Sequence, residues 1–318
     1  MADSNNSVAL IFPGQGSQVI GMGKDLAEKY PEAKQAFEEA DEALGYKLSQ
    51  LCFEGPEDQL RLTEITQPAI LTVSIAALRV LETRIPRPAL VAGHSLGEYS
   101  AHVASGTFSF ADAVRTVRLR GKYMQEAVPV GVGAMAAILG MDFEKVTAVC
   151  EEAAQKEVCS PANINSPEQI VISGNTAAVE RAAKLADERG AKRAKLLPVS
   201  APFHCSLMQP AQDRLAQDLK KLGMQKPVYP VVCNVDAELV TDNIKAESTL
   251  VRQVTGSVKW EQCMRLLIAK GVETFVEVGP GKVLCGLMRQ IDRSKMCLNV
   301  ADEASLAKTV EALSQTPA

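Results

Sequence analysis

Histidine is the scarcest chemically useful side chain in this 318-residue protein. His94, His102 and His204 are the only imidazoles, so any imidazole chemistry comes from one of them. The cysteines, eight in all, contain no C-x-x-C pair, which excludes the usual spacing of a zinc knuckle or a thioredoxin-like redox site. With no export signal in view, reduced thiols are expected. The longest apolar stretch, residues 70–78, is broken by Thr72 and Ser74 and falls far short of the ~20 residues that cross a bilayer. The opening MADSNNSV is acidic and polar, unlike a signal or transit peptide, so a cytoplasmic protein without a membrane partner is expected. A net charge of −4, from 34 basic and 38 acidic residues, gives no general attraction to nucleic acid.

What is present is an ordinary globular composition, 47% hydrophobic and 23% charged. Its length suits one large domain or two unequal ones at ~150 residues each. An apolar strand over 8–12 stops at Pro13-Gly14, and helical periodicity follows over 22–44, with Pro31 placed to begin a second helix. Further helices are expected over 68–82, 96–104, 207–222 and 283–291, and strands over 89–92, 228–234 and 274–278. Strands separated by helices predict an α/β fold with a mainly parallel sheet. One block differs. Strand 133–139, helix 143–155, strands 158–164 and 169–173, helix 177–188 and strand 195–199 spell βαββαβ, the ferredoxin-like order. Residues 128–198 therefore read as a small subdomain inserted into an α/β domain made of 1–127 and 199–318. No repeat or low-complexity tract interrupts this plan, and residues 1–7 and 314–318 are expected to fray.

Gly93-His94-Ser95-Leu96-Gly97 is a G-x-S-x-G pattern between an expected strand and an expected helix. A sharp strand-to-helix turn needs flanks without bulk, and it leaves Ser95 exposed where free helical N–H groups favour negative charge. Ser95 is the candidate nucleophile. A serine needs a base. His94 is its neighbour and diverges from it at a tight turn, whereas His102 lies two helical turns on, ~10 Å away by rise. His204, in Ser200-Ala201-Pro202-Phe203-His204, sits on a loop where the chain returns from the inserted block, and it becomes the leading base. No acid announces itself as a third member in the Ser–acid–His order of α/β-hydrolases, so a plain esterase or lipase fits badly.

Gly14-Gln15-Gly16 after the first strand fails as a dinucleotide fingerprint, because Val19 occupies the third glycine position. Nor is it a Walker loop. It remains a glycine-rich turn able to donate a backbone N–H from Gln15. Arg120 lies among Arg118 and Lys122 on an expected helix, a pattern that in itself describes a solvated charged face.

Taken together, the ordered motifs resemble the malonyl-CoA:acyl carrier protein transacylases of the free-standing bacterial fatty acid synthesis type. The resemblance runs from Phe12 to about Gly286. It rests on Gly14-Gln15-Gly16-Ser17-Gln18, on Gly93 through Ala101 (GHSLGEYSA), on Arg120-Gly121-Lys122-Tyr123-Met124-Gln125, on Ala162-Asn163-Ile164-Asn165-Ser166-Pro167, on Pro202-Phe203-His204 and on Gly279-Pro280-Gly281. It implies a hydrolase-like core with the ferredoxin-like insertion.

The resemblance also implies roles. Ser95 attacks the thioester of malonyl-CoA with His204 as base, and the backbone N–H groups of Gln15 and Leu96 hold the oxyanion. A backbone carbonyl, here that of Gln253, orients the base in place of an acid. Arg120 pairs with the malonyl carboxylate, which suits its planar fork. The acceptor is the phosphopantetheine thiol of holo acyl carrier protein, in a ping-pong cycle without metal or other cofactor. His94, Asn165 and Phe203 are pocket candidates, and Phe203 would crowd an α-methyl branch. Lys192, Arg193 and Lys195 are candidates for docking the acidic carrier. Cys205 reads as a packed thiol. A site contained in one chain makes a monomer expected.

Two other readings use the same residues: a serine acyl-hydrolase or thioesterase with water as acceptor, and a carrier-binding module without turnover. Arg120 argues against the hydrolase, because a neutral acyl group has no use for a buried cation. Activity is expected to fall below pH ~6.5, where an ordinary histidine protonates.

Overall fold

The computed structural model describes residues 8–199 and 201–315, and its strands, in chain order, are β1 (Val8–Phe12), β2 (Leu90–Gly93), β3 (Gly133–Leu139), β4 (Cys159–Ser166), β5 (Gln169–Asn175), β6 (Arg193–Leu196), β7 (Val231–Val232), β8 (Leu239–Val240), β9 (Thr274–Val278) and β10 (Met296–Val300). They form two sheets. The larger has the order β10-β9-β1-β2-β7-β8. It is parallel throughout except for the antiparallel edge pair β7–β8.

β1 sits in the middle because it is apolar on both faces, as a parallel strand covered by helices must be. Leu10 and Phe12 point into a core shared with the helices Pro31–Leu44, Thr63–Leu81 and Phe110–Glu126. Ala9 and Ile11 point the other way, towards the helices Trp260–Ala269 and Val283–Ile291. Thr63–Leu81 is long and apolar enough, by length and composition alone, to cross a membrane, yet nearly all of it is buried inside the protein. β9 is buried at every position, including Glu277. Its carboxylate accepts from the N–H groups of Leu284 and Cys285 at 3.1 and 2.8 Å, which satisfies the open end of the helix that follows.

The smaller sheet is antiparallel, in the order β4-β5-β3-β6. Its elements follow the βαββαβ succession, with the helices Phe143–Ala154 and Thr176–Glu188 over one face. The last strand spans 193–196, earlier than the expected 195–199, because Pro198 has no N–H to extend the ladder. The strand expected over 228–234 shrinks to β7 for a similar reason: pairing begins only after Pro230. Ser314 and Gln315 continue the final helix, Glu303–Gln315, rather than fraying. The expected fraying of 1–7 and 316–318 concerns positions outside the described residues, as is Ser200. The segment leading into the helix Trp260–Ala269 is joined to β4 of the smaller sheet by Val258, which accepts from Ile164 N–H and donates to Ala162 O, both at 2.8 Å.

The turn from β2 into the helix Gly97–Ala104 presses backbone directly against backbone. A Cβ on Gly93 would lie 1.9 Å from the Gly97 carbonyl group, and one on Gly97 would lie 2.1 Å from Phe12 O. Backbone cannot yield as a flexible side chain can. Gly93→Ala or Gly97→Ala should therefore cost about 3 kcal/mol or more in urea unfolding. Gly223→Ala, which meets nothing within 4 Å, should change stability by less than about 0.5 kcal/mol. Equal, small losses for all three would show that the close approach is not a constraint.

Candidate active site

Ser95 takes its backbone into the left-handed region, φ 51°, a conformation that costs a non-glycine residue about 1–3 kcal/mol. Hydrogen bonds on both sides hold it there. Its N–H donates to Asn234 Oδ1 at 2.7 Å, and its carbonyl accepts from Gln253 Nε2 at 2.9 Å. Asn234 also donates from Nδ2 to Gly93 O at 2.7 Å, so one side chain bridges the end of the strand and the serine.

His204 is likewise left-handed, φ 59°. Its Nε2 lies 2.7 Å from Ser95 Oγ. Its Nδ1 faces two backbone carbonyls, Gln253 O at 2.8 Å and Gly256 O at 3.2 Å. Only an N–H can face carbonyls, so Nδ1 carries the proton and Nε2 is free to accept one from the serine. Gln253 caps the C-terminus of the helix Asn243–Arg252, where backbone carbonyls lack helical partners and carry partial negative charge. That end of a helix does the orienting that a carboxylate does in a triad. Burial first, and the positive charge of Arg120 second, pull the His204 pKa down to about 3.

The other two imidazoles are occupied elsewhere. His94 lines the same cavity, but its Nε2 donates to Asn165 Oδ1 at 2.8 Å and its ring meets Trp260 edge-on at 5.4 Å. Asn165 thus stands behind His94. His102 is fully buried, 3.0 Å from Thr107 Oγ1 and stacked on Phe108.

Arg120 is only 1% exposed, quite unlike its helix neighbours Arg118, which lies over the Tyr46 ring, and Lys122, which reaches towards Glu126. Three neutral groups accept from it: Gln67 Oε1 at 2.8 Å, Gln253 Oε1 at 3.0 Å and Ser95 Oγ at 3.2 Å. Its Nε has no acceptor among the described residues. Desolvation lowers its pKa, but a guanidinium remains charged. The carboxyl that acts on it, Glu98, reaches it only across the Gln253 amide.

These groups converge on a cavity of about 120 Å³. That is small beside the ~300–1,000 Å³ of most ligand pockets, so it suits a short acyl head. Gln15, Leu96 and Phe203 line it too, and among the described residues nothing accepts from the N–H groups of Gln15 and Leu96. A groove of about 690 Å³ continues outwards, sharing Gln15, Leu197 and Val199 with the cavity. A larger depression of about 830 Å³, bordered by Lys24, Lys282 and Lys308, contains none of the candidate groups, and size alone does not make it the reactive site. Cys205 is buried, its thiol donates to Pro202 O at 3.1 Å, and burial raises its pKa, which removes it as a rival nucleophile. Lys192, Arg193 and Lys195 are exposed at the edge strand β6, with Lys192 3.3 Å from Glu168.

The acyl transferase domain family matches residues 9–313 of this chain. The chain belongs to the acyl transferase family. The malonyl CoA-acyl carrier protein transacylase of Escherichia coli K12 is 49% identical over 304 residues, covering 95% of this chain and 98% of the relative. An acyl carrier protein S-malonyltransferase from Vibrio cholerae superposes with a TM-score of 0.94 at 49% identity, over 96% of this chain and all of that one. A malonyl-transacylase solved in complex with its type II PKS acyl-carrier protein superposes equally well, TM-score 0.94 at 46% identity, over 96% and 99% of the two chains.

Three residues of this acyl transferase site escaped the sequence reading: Gln67, Glu98 and Asn234. Glu98 directly follows Gly97, so the motif displayed it, but a search for a triad acid asks which carboxylate touches the histidine, and Glu98 does not. It is fully buried, and burial pushes its pKa up to about 7 against the opposing pull of Asn234, Gln253 and Arg120.

The expected loss of activity below pH ~6.5 needs correction. Only neutral His204 accepts the serine proton, and burial with Arg120 nearby keeps it neutral well below that pH. For the acyl transferase, kcat/KM for single-turnover acylation should stay level from pH 7 to 5. Arg120→Ala removes one cause of the depression, so its acid limb, measured with a neutral acyl donor, should move upward. A wild-type limb at pH 6.5 would contradict this.

Proposed function

We propose that this acyl transferase moves a malonyl group from malonyl-CoA to the phosphopantetheine thiol of acyl carrier protein by a ping-pong route through Ser95, serving fatty acid chain elongation. One observation carries the reading: a buried guanidinium, facing only neutral acceptors and with an Nε–H to spare, lies 3.2 Å from the nucleophilic oxygen. A malonyl carboxylate completes that half-made ion pair, and the planar fork binds it bidentately. A hydrolase of neutral acyl groups gains nothing from such a cation, which is why transfer of a carboxylated acyl group is preferred.

The steps balance within the site. Ser95 Oγ attacks the thioester carbonyl as its proton passes to His204 Nε2. The N–H groups of Gln15 and Leu96 bind the oxyanion, worth ~3 kcal/mol per donor in comparable enzymes. The C–S bond breaks, His204 returns the proton to the departing coenzyme A sulfur, and a malonyl-serine ester remains. The carrier thiol then gives its proton to His204 and attacks the ester, and Ser95 leaves with that proton. The imidazole of His94, held from behind by Asn165, and the ring of Phe203 shape the pocket, and Phe203 crowds an α-methyl branch. The pantetheine arm occupies the outer groove.

The βαββαβ block, 128–198, is assigned as a ferredoxin-like subdomain inserted into a hydrolase-like core of 1–127 and 199–318, and the enzyme works as a cytoplasmic monomer. Lys195 pairs with Ala137 across β3 and β6, on the face of the sheet that also carries Met135 and Leu197 at the cavity. Arg193 shares that face by strand alternation. Together with Lys192 they are the proposed seat for the acidic carrier protein.

Intact mass spectrometry tests the function. Brief incubation with malonyl-CoA should add one malonyl mass, mapping to Ser95, and holo acyl carrier protein should then collect it. No adduct, or one lost to water whether or not carrier is present, would favour the inert module or the hydrolase. For docking, Lys192→Glu combined with Arg193→Glu should raise the KM for the carrier several-fold and leave that for malonyl-CoA alone. An unchanged carrier KM removes that surface.

A further inference from the structure

The mechanism leaves one buried ionisable group beside the reacting atoms without a task. We propose that Glu98 is a positioning residue whose carboxylate oxygen aims the Gln253 amide and the Asn234 backbone, and through them sets Ser95, His204 and Arg120 in one register. The proposal rests on the serine acyl-transfer reading above, though not on the identity of the acyl group.

Glu98 is fully buried at the start of the helix Gly97–Ala104. One of its oxygens, Oε2, accepts from Gln253 Nε2 at 2.7 Å and from Asn234 N–H at 2.9 Å. These two donors between them touch the serine, the histidine and the guanidinium. Gln253 donates to the Ser95 carbonyl, accepts from Arg120 through its side chain and accepts from His204 Nδ1 through its backbone. Asn234 accepts from the Ser95 N–H and donates to Gly93 O. With an acceptor at one end and a guanidinium at the other, the Gln253 amide has one orientation, NH₂ towards Glu98 and C=O towards Arg120.

The other carboxylate oxygen, Oε1, has no hydrogen-bond partner among the described residues. The network therefore requires one acceptor atom and no second. That separates an acceptor from a charge. Glu98→Gln keeps a carbonyl oxygen for both donors and places its NH₂ where Oε1 stands alone. Glu98→Met fills a similar volume and offers no acceptor, stranding the Gln253 and Asn234 donors.

The test reads Ser95 reactivity with a small phosphonyl fluoride, which needs the serine and its base but no malonyl site, alongside acylation by malonyl-CoA and acetyl-CoA and thermal melting. Glu98→Gln should label and acylate close to the wild-type rate. Glu98→Met should lose about 100-fold in both labelling rate and kcat, the scale of a displacement near 1 Å, for both donors and with little change in KM. A purely structural role would lower the melting temperature and leave the labelling rate of folded protein unchanged, and that result overturns the proposal. So does a Glu98→Gln variant as slow as Glu98→Met. If wild-type protein labels as expected but transfers no malonyl group, the function proposed above fails, and the role of Glu98 is decided by the labelling rates of its two variants.

Discussion

A guanidinium taken out of water without a carboxylate against it is a costly arrangement, and the site is organised around it. Burying an unpaired charge costs several kcal/mol even after relaxation. Arg120 meets that cost with the amide oxygens of Gln67 and Gln253, with the face of Tyr99 5.5 Å away, and with Glu98 at one amide's remove. None of these neutralises it by direct contact. The charge is thus already desolvated and aimed before a substrate arrives, which is what electrostatic preorganisation requires. Burial first, and this same cation second, keep His204 neutral in the resting site. In the proposed reading a substrate carboxylate would offset Arg120 and ease the smaller, electrostatic part of that depression, leaving the imidazole a somewhat stronger base.

The second organising feature is backbone strain placed where the chemistry is. Nucleophile and base are both non-glycine residues at positive φ. Each is held by hydrogen bonds to its neighbours, and the close approach of Gly93, Gly97 and Phe12 leaves the serine turn no room to relax. Backbone carbonyls at and just beyond the end of the helix Asn243–Arg252 accept from His204, so the Ser95–His204 pair is oriented with no acid on the imidazole.

How far the sequence displayed this depends on whether the information is local. Ser95 was legible because Gly93 and Gly97 serve a turn five residues long. His204 was legible through the scarcity of histidine, and the pair closes across 109 residues at 2.7 Å. The βαββαβ block was readable because its strands pair with near neighbours. β7 was legible only as part of a longer expected strand, and β8 and β10 were not legible: β8 is two residues long, and β10 is fully buried at Val300 alone, so neither presents the apolar run that marks a strand. The burial of Arg120 could not be read from Arg118 and Lys122, which share its helix and face elsewhere. Gln253 came only through family resemblance, and Gln67, Glu98 and Asn234 came only from the structure, because an amide or a carboxyl acquires its role from atoms far along the chain.

The central claim is that Arg120 recognises a carboxylate on the acyl group. Single-turnover acylation of Arg120→Ala with malonyl-CoA and with acetyl-CoA, monitored by mass, tests it most directly. Malonyl transfer should fall by several kcal/mol, roughly a hundredfold or more, while acetyl transfer holds steady or improves. Equal losses with both donors would contradict the account and reduce Arg120 to a structural cation.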